Sequence, residues 1–274
     1  MATKNIARTY CSASSRDMPN GALVAERLNM RERVMITVVI PTLNAETGLS
    51  ATLTALVPAV VEGLVREVIV VDGGSSDRTL SIAEQAGVEV VASPAGRGGQ
   101  LRAGAARAKF PWLLFLHADT VLEPGWEREA AAFMERVNAG AREPAAAAFD
   151  FALDDMGFAP RCVEFFVRLR CILLRLPYGD QGLLISSQLY SKIGGYRVMP
   201  LMEDVDIVQR LKRRQIILLR PRAVTSALRY RRDGYLRRVM KNQFCLLLYM
   251  LRVPVGRIAQ VYGASARGAT NRGA

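Results

Sequence analysis

The chain is poor in the residues that build metal and disulfide frameworks. Its 274 residues hold one histidine, His117, and four cysteines. Cys11, Cys162, Cys171 and Cys245 are scattered without a C-x-x-C pair, and no histidines are present to complete a zinc site. They read as reduced, mostly buried thiols, which fits a cytoplasmic location. Long apolar runs are also lacking. The nearest, FCLLLYMLRVPV from Phe244, is cut by Arg252 and Pro254, short of the roughly 18 uninterrupted apolar residues of a spanning helix. Residues 1–33 show neither sustained periodicity nor the apolar core of a secretory signal, and are expected to form a disordered N-terminal extension. No internal repeat, Walker A sequence or G-x-G-x-x-G spacing is present. Basic aromatic platforms are missing as well, so nucleic acid ranks low as a partner.

What is present suits one large α/β domain with appendages, 34–232 forming its body and 233–274 a C-terminal helix and flexible tail. Half of the residues are hydrophobic, enough for a sizeable core. The net charge of +12 points to an anionic partner, such as a phosphate-bearing substrate or an anionic membrane face. ITVVIP from Ile36, EVIVVDGG from Glu67, VEVVAS from Val88 and WLLFLHAD from Trp112 are β-branched or apolar runs, and segments of helical spacing separate them. That alternation predicts a doubly wound, mainly parallel sheet flanked by helices, with ligands bound beyond the carboxyl ends of its strands. Further strands are expected at AAAAFDFALDD from Ala145, GLLIS from Gly182 and AVTSALRY from Ala223. Two basic, amphipathic helices are expected at Arg161–Leu176 and Tyr235–Leu251.

Polar and glycine-rich residues gather at the predicted strand ends. In VIVVDGGSSDRT, Asp72 closes a buried strand and needs hydrogen-bonding partners; ribose hydroxyls or a base NH would serve. The competing reading is a set of helix caps, a task better placed at Ser76 or Asp77. SPAGRGGQLRAG reads as a flexible cationic loop carrying Arg97 before a helix, suited to phosphate, or as a plain turn. MEDVDI from Met202 puts Glu203, Asp204 and Asp206 in the first turns of a helix, where the helix dipole alone would welcome acids. YGDQGLL offers Asp180 and Gln181, which could equally be an ordinary polar turn.

Taken together, IPTLNAE, VDGGSSDRT, the arginine-glycine loop, HADT, GGY and MEDVDI occur in an order that resembles the inverting glycosyltransferases of family 2, which have the GT-A fold. The resemblance spans about residues 36–230. It implies a nucleotide-sugar donor, with UDP the expected nucleotide, bound by Pro41, Asn44, Glu46 and Asp72, with Arg97 at the diphosphate. It implies a divalent metal, Mn2+ or Mg2+, at the DxD-like motif. His117 replaces the usual first Asp there, so Asp119 is the stronger expected metal contact. The Glu203–Asp204 pair would supply the base, Asp204 first, and Asp180 and Gln181 would border the acceptor. Q-x-x-R-W is not completed by Gln209 and the RYRR run from Arg229, which implies a non-processive enzyme. The order PYGDQG, PLMEDVDI and VTSALRY more narrowly resembles a short bacterial subgroup associated with arsenosugar biosynthesis.

The expected partners are therefore the donor and a hydroxyl acceptor, lipid-linked or small. The two basic helices add an anionic membrane surface, which would place the protein peripherally at the inner face of a membrane. Two other readings compete: a nucleotidyltransferase that makes a nucleotide sugar, and a non-enzymatic anionic-lipid-binding protein.

Overall fold

The computed structural model describes residues 34–263. The expected extension over residues 1–33, Cys11 and the end of the expected tail lie outside them. Strands β1 (Ile36–Thr42), β2 (Val65–Asp72), β3 (Glu89–Ala92) and β4 (Trp112–Phe115) alternate with helices α1 (Glu46–Val61), α2 (Thr79–Gln85) and α3 (Arg97–Arg107). β1 and β2 pair in parallel up to Thr42↔Asp72, so their last residues finish level. After them come β5 (Thr120–Leu122), α4 (Trp126–Asn138), β6 (Ala146–Leu153), α5 (Phe158–Leu174), β7 (Leu183–Ser186), α6 (Ser187–Lys192), α7 (Glu203–Gln209) and β8 (Ile216–Thr225). All eight strands share one sheet in the order β3-β2-β1-β4-β7-β6-β8-β5. β7 runs antiparallel to β4 and β6, and β5 antiparallel to β8. This is the mainly parallel, doubly wound sheet that the alternation predicts.

The side-chain period of two splits the core between the two sheet faces. Ile36, Val38 and Ile40 of β1 join Trp112 and Leu114 in a cluster with α1 and α4, where Trp126 and Phe133 are fully buried. Val39, Leu113 and Phe115 turn the other way and pack with Leu101 of α3 and Val205 and Val208 of α7. Both faces are covered, which is why these strands read as continuous apolar runs.

Three local expectations are corrected. The strand placed at AVTSALRY begins earlier, at Ile216, and ends at Thr225, while Leu228–Asp233 forms a helix, α8. Pro221 obscured it, yet the register with β6 slips between Ala148↔Leu218 and Asp150↔Arg222, so the proline sits in an irregularity of the ladder, where its missing N–H is tolerated. The short strand β5 was not anticipated. The arginine-glycine segment is not a loop either: Gly96, at φ 148°, makes the turn, and Arg97 already opens α3. Free thiols are found at Cys162, Cys171 and Cys245, with Cys162 half-buried.

The C-terminal segment continues into α9 (Tyr235–Met250) and α10 (Val255–Tyr262). Cys245 and Leu246 of α9 and Ile258 of α10 are buried. A polar clasp fixes the start of this segment to the end of β6. Asp155 accepts hydrogen bonds from Arg231 Nε at 2.9 Å and from the Tyr235 hydroxyl, and the Ala227 amide donates to Asp154. Among the described residues no helix is long and apolar enough to cross a membrane.

Candidate active site

The carboxyl ends of β1, β2 and β4 open onto a crevice with two chambers. The larger, about 740 Å³, is lined by Pro41, Asn44, Arg97, Gln100, His117 and Asp119, among others. The smaller, about 180 Å³, is lined by Tyr178, Asp180, Glu203, Asp204, Asn242 and Tyr262, with others. Arg97, His117, Asp119, Ser226 and Arg229 line both, so they form the junction.

At the β1 and β2 ends the polar groups satisfy one another. Asp72, 4 % exposed, accepts from the Thr42 hydroxyl at 2.9 Å, the Gly74 and Ser75 amides at 2.9 and 2.8 Å, and the Ser75 hydroxyl at 2.5 Å. Burial pushes its pKa up, but these hydrogen bonds, led by Ser75, outweigh it and hold the carboxyl below its ordinary value. Gly74 takes φ 94°, the left-handed conformation that lets the loop fold back onto this carboxylate. Asn44, itself at φ 51°, donates its amide N–H to Ser75 Oγ and accepts from the Ser76 amide. Glu46 accepts from the Arg78 amide, and Asp77 accepts from the amides of Glu46 and Thr79. Asp77 thus serves both helix starts. Glu46 lies outside the crevice, on a groove between α1 and α2, and Asp72 faces its own loop. Gln100, unnoticed in the sequence, is buried and donates to Thr42 O and Val71 O, tying the two strand ends together.

The His-Ala-Asp segment is the turn from β4 into β5. Thr52 of α1 donates its hydroxyl to Ala118 O at 3.0 Å, and the Ser226 amide donates to Asp119 O at 3.2 Å. These bonds fix the backbone, while the Asp119 carboxylate accepts no hydrogen bond among the described residues. Burial, then the positive charges of Arg97 and Arg229, push His117 well below the ordinary imidazole range, so it is neutral at pH 7. A Cβ built on Gly179 would sit 2.7 Å from His117 Nε2 and 3.4 Å from Asp204 Oδ2. Only glycine at 179 keeps that space clear.

The acidic pair is presented by a strained turn. Met202, at φ 66°, occupies the left-handed region just before α7, a conformation that costs a non-glycine residue about 1–3 kcal/mol. Glu203, 3 % exposed, pairs with Arg97 Nη1 at 3.2 Å. Burial pushes its pKa up, Arg97 pulls it back and Asp204 adds to the rise, for a net shift upward. Asp204 accepts from the Gly179 amide at 2.9 Å and from the Val205 amide at 2.8 Å. Asp206 is committed elsewhere, to Arg197 and Arg210.

Asp180 lines the smaller chamber, and its Oδ1 is buried without a partner. Burial raises its pKa to about 6, with Arg170 opposing and Asp204 reinforcing. Gln181 turns inward instead: it is 1 % exposed, donates to Phe149 O and accepts from the Tyr178 amide. Sequence reasoning missed Tyr178, Ser226, Arg229, Asn242 and Tyr262 as lining residues. Arg229 opens the RYRR run, but that run was weighed only against an absent motif.

Residues 37–144 match the family model Glycosyl transferase family 2. No curated protein matches the chain. Among solved structures, glucosyl-3-phosphoglycerate synthase from Mycobacterium tuberculosis in complex with Mn2+ and UDP-glucose is similar at TM-score 0.56 and 21% identity, over 84% of this chain and 84% of that one. The same enzyme with Mn2+, UDP and glucosyl-3-phosphoglycerate gives TM-score 0.52 at 21% identity over 89% and 88%. S. aureus TarS 1-349 gives TM-score 0.54 at 16% identity, over 83% and 69%. The chain therefore has the GT-A fold.

Proposed function

We propose that this chain is a family 2 glycosyltransferase that moves a sugar from a nucleotide-diphosphate sugar, with UDP as the expected nucleotide, to a hydroxyl acceptor, inverting the anomeric carbon. The observation that carries this reading is the junction. Asp119 from the β4 end and Arg97 from α3 lie within the segment that matches the family, and they line the same chamber as Asp204 from the second half of the chain. Solved relatives of the same fold bind UDP-glucose with Mn2+.

The donor nucleotide occupies the larger chamber, against Pro41 and Asn44, with Asp72 and Glu46 holding the loops that shape it. Its diphosphate lies at the junction, beside Arg97, the start of α3 and Arg229. A divalent metal fits there. The Asp119 carboxylate is unengaged and His117 is neutral, as an imidazole ligand must be. Among the described residues no three His, Cys, Asp or Glu side chains form a metal-holding group, so the protein's own share of the site would be these two side chains. Asp119 and His117 would hold Mn2+ or Mg2+, which when bound neutralises charge on the departing nucleotide diphosphate. Asp204 takes the proton from the acceptor hydroxyl as that oxygen attacks the anomeric carbon and the bond to the diphosphate breaks. The two amides on Asp204 keep it oriented. Glu203 holds Arg97 in place.

Thermal-shift screening of nucleotide sugars with and without Mn2+ tests the reading, since a ligand of the native state alone raises apparent stability. A nucleotide sugar should raise the melting temperature and be slowly hydrolysed to nucleoside diphosphate. A nucleotidyltransferase would instead release pyrophosphate from a nucleoside triphosphate and a sugar 1-phosphate. No shift with any nucleotide sugar would defeat the proposal. The arsenosugar association rests on three short motifs and would require an arsenic-bearing acceptor to be turned over.

A second, narrower reading concerns location. α5 buries few residues and leaves Phe165, Phe166, Ile172 and Leu173 exposed, and α9 leaves Leu236, Met240 and Phe244 exposed. Arg168 and Arg237 on the same helices, and Arg175 at the end of α5, form no ion pair among the described residues. Apolar side chains beside unpaired cations complement an anionic bilayer, each basic residue contributing about 1 kcal/mol. Co-sedimentation with phosphatidylserine vesicles should rise with anionic content and fall with salt; absence of binding to all of them would end this reading.

A further inference from the structure

Arg170 lies near the end of α5, half-buried, and no carboxylate pairs with it among the described residues. Its contacts fall instead on residues 176–181, which fold back onto the helix after Arg175 leaves it at φ 52°. Arg170 Nε donates to Leu176 O at 3.0 Å, one terminal nitrogen reaches Gln181 Oε1 at 3.5 Å, and the guanidinium carbon sits 3.5 Å from the centre of the Tyr178 ring. One planar group thus meets the start, the middle and the end of the segment. A lysine could not, because an ammonium offers neither the fork nor the stacking face.

The two ends of the segment are not equally secured. Gln181 is anchored without Arg170: its side chain donates to Phe149 O and accepts from the Tyr178 amide and the Cys171 thiol. At the other end Leu176 O has Arg170 Nε as its close donor, with the Cys171 sulfur farther off at 3.8 Å. Between them lies Gly179. Its amide donates to Asp204 Oδ2 at 2.9 Å, and it packs so closely on the imidazole that an added Cβ would sit 2.7 Å from His117 Nε2. Whatever sets the path of this segment therefore sets one of the two amides on Asp204 and the space beside His117.

We infer that Arg170 is a positioning residue for the transfer reaction, clamping residues 176–181 so that the Gly179 amide holds the Asp204 carboxylate in place. The inference rests on the transferase reading with Asp204 as base, and it gives α5, beyond the family-matching residues 37–144, a part in the chemistry. Arg170 acts through backbone, so its removal lowers the rate of the chemical step and spares donor binding. Misplacing a reacting group by 1 Å can cost about a hundredfold. The Val205 amide still orients Asp204 when Gly179 moves, so the loss is smaller than that.

The test uses the full chain with UDP-glucose and Mn2+, following UDP release with water as acceptor. Arg170→Ala should lower kcat about tenfold while the KM for UDP-glucose holds within twofold. Millimolar guanidinium chloride should restore part of the lost rate, and equal sodium chloride should not. Arg170→Lys, which keeps the charge without the fork, should stay near Arg170→Ala. His117 is the chain's single histidine, so its imidazole gives one set of NMR signals that reads the Gly179 turn without any turnover. Those signals should shift in Arg170→Ala and move back with guanidinium. An unchanged kcat, a KM that rises as kcat falls, full activity in Arg170→Lys, or an unmoved His117 signal would each overturn the positioning role and leave the transferase standing. If the wild type turned over no nucleotide sugar, the transferase reading would fall and this role with it, and a His117 signal that still moved would leave the clamp as a feature of the fold alone.

Discussion

At the ends of β1 and β2, Asp72 takes four hydrogen bonds from its own loop and from Thr42, and Asn44, Glu46 and Asp77 trade bonds across two neighbouring turns. Across the crevice, Asp180 and Asn242 each bury an oxygen that takes none among the described residues, and the Asp119 carboxylate takes none from them either. The first wall is finished before any ligand arrives. The second is held in a less stable arrangement, with unmet acceptors and a left-handed Met202 just ahead of the acidic pair. Substitutions should therefore divide. On the first wall they cost stability; on the second they cost activity, with little loss or even a gain in stability.

The sharpest break of this division would come at Asp119. Asp119→Ala should abolish metal-dependent donor turnover and leave the melting temperature of the metal-free protein within a degree or two, because no hydrogen bond is lost. His117→Asp should preserve or increase activity with Mg2+, since a carboxylate suits that ion better than imidazole does. Activity of Asp119→Ala equal to wild type would remove the metal from this turn.

Asp204→Asn comes next, with an expected loss of about a hundredfold or more in transfer and retained donor affinity, as for a removed general base. Glu203→Gln should hurt less in kcat, because Glu203 acts through Arg97. The reverse ordering would hand the base role to Glu203 and make Asp204 a strut for the Gly179 turn.

Much of this contrast was invisible in the sequence, for identifiable reasons. β1 to β4 were legible because buried parallel strands leave unbroken β-branched runs, and the positions of Arg97, Asp119 and Asp204 followed from motif order. Whether a carboxylate is satisfied is a matter of local geometry: VDGGSSD does not reveal that Ser75 and Gly74 turn back onto Asp72. The same limit hid the inward turn of Gln181, which sits beside Asp180 in sequence yet bonds to Phe149 in the core. Asn242 and Tyr262 lie on helices whose composition speaks only of amphipathicity. Their place in the chamber depends on how the C-terminal segment crosses the end of the sheet, which no local pattern encodes.

On the finished wall, Asp72→Ala should destabilise the protein by about 1–2 kcal/mol, since it removes the hydrogen bonds of the Gly74 and Ser75 amides and of two hydroxyls in a partly exposed loop. Chemical denaturation would read it as a lower midpoint at unchanged slope. If stability were unaffected while UDP affinity collapsed, Asp72 would be a direct ligand of the nucleotide and the comparison between the walls would fail.

The smallest effect is expected at the clasp that joins the C-terminal segment to the sheet. Hydrogen bonds from Arg231 and Tyr235 hold the Asp155 carboxyl down at about 2, against an ordinary 3.8. Because the folded value is the lower one, Asp155 contributes stability above pH 3.8, where it is ionised whether the chain is folded or not. Between pH 3.8 and 2 the unfolded chain binds a proton that the folded chain refuses, so that contribution fades as the pH falls. The pair with Arg231 is open to solvent and screened by salt, which keeps the effect modest. Melting curves of wild type and Asp155→Asn at low salt should differ by a small, constant gap from pH 7 down to about pH 5, and the gap should close toward pH 2. Hydrogen exchange should place the loss locally, in α8 and the first turn of α9, and the smaller chamber should loosen with it through Tyr230 and Arg238. A gap that widened as the pH fell would reverse the sign, and Asp155 would then be a carboxylate that the folded protein prefers protonated.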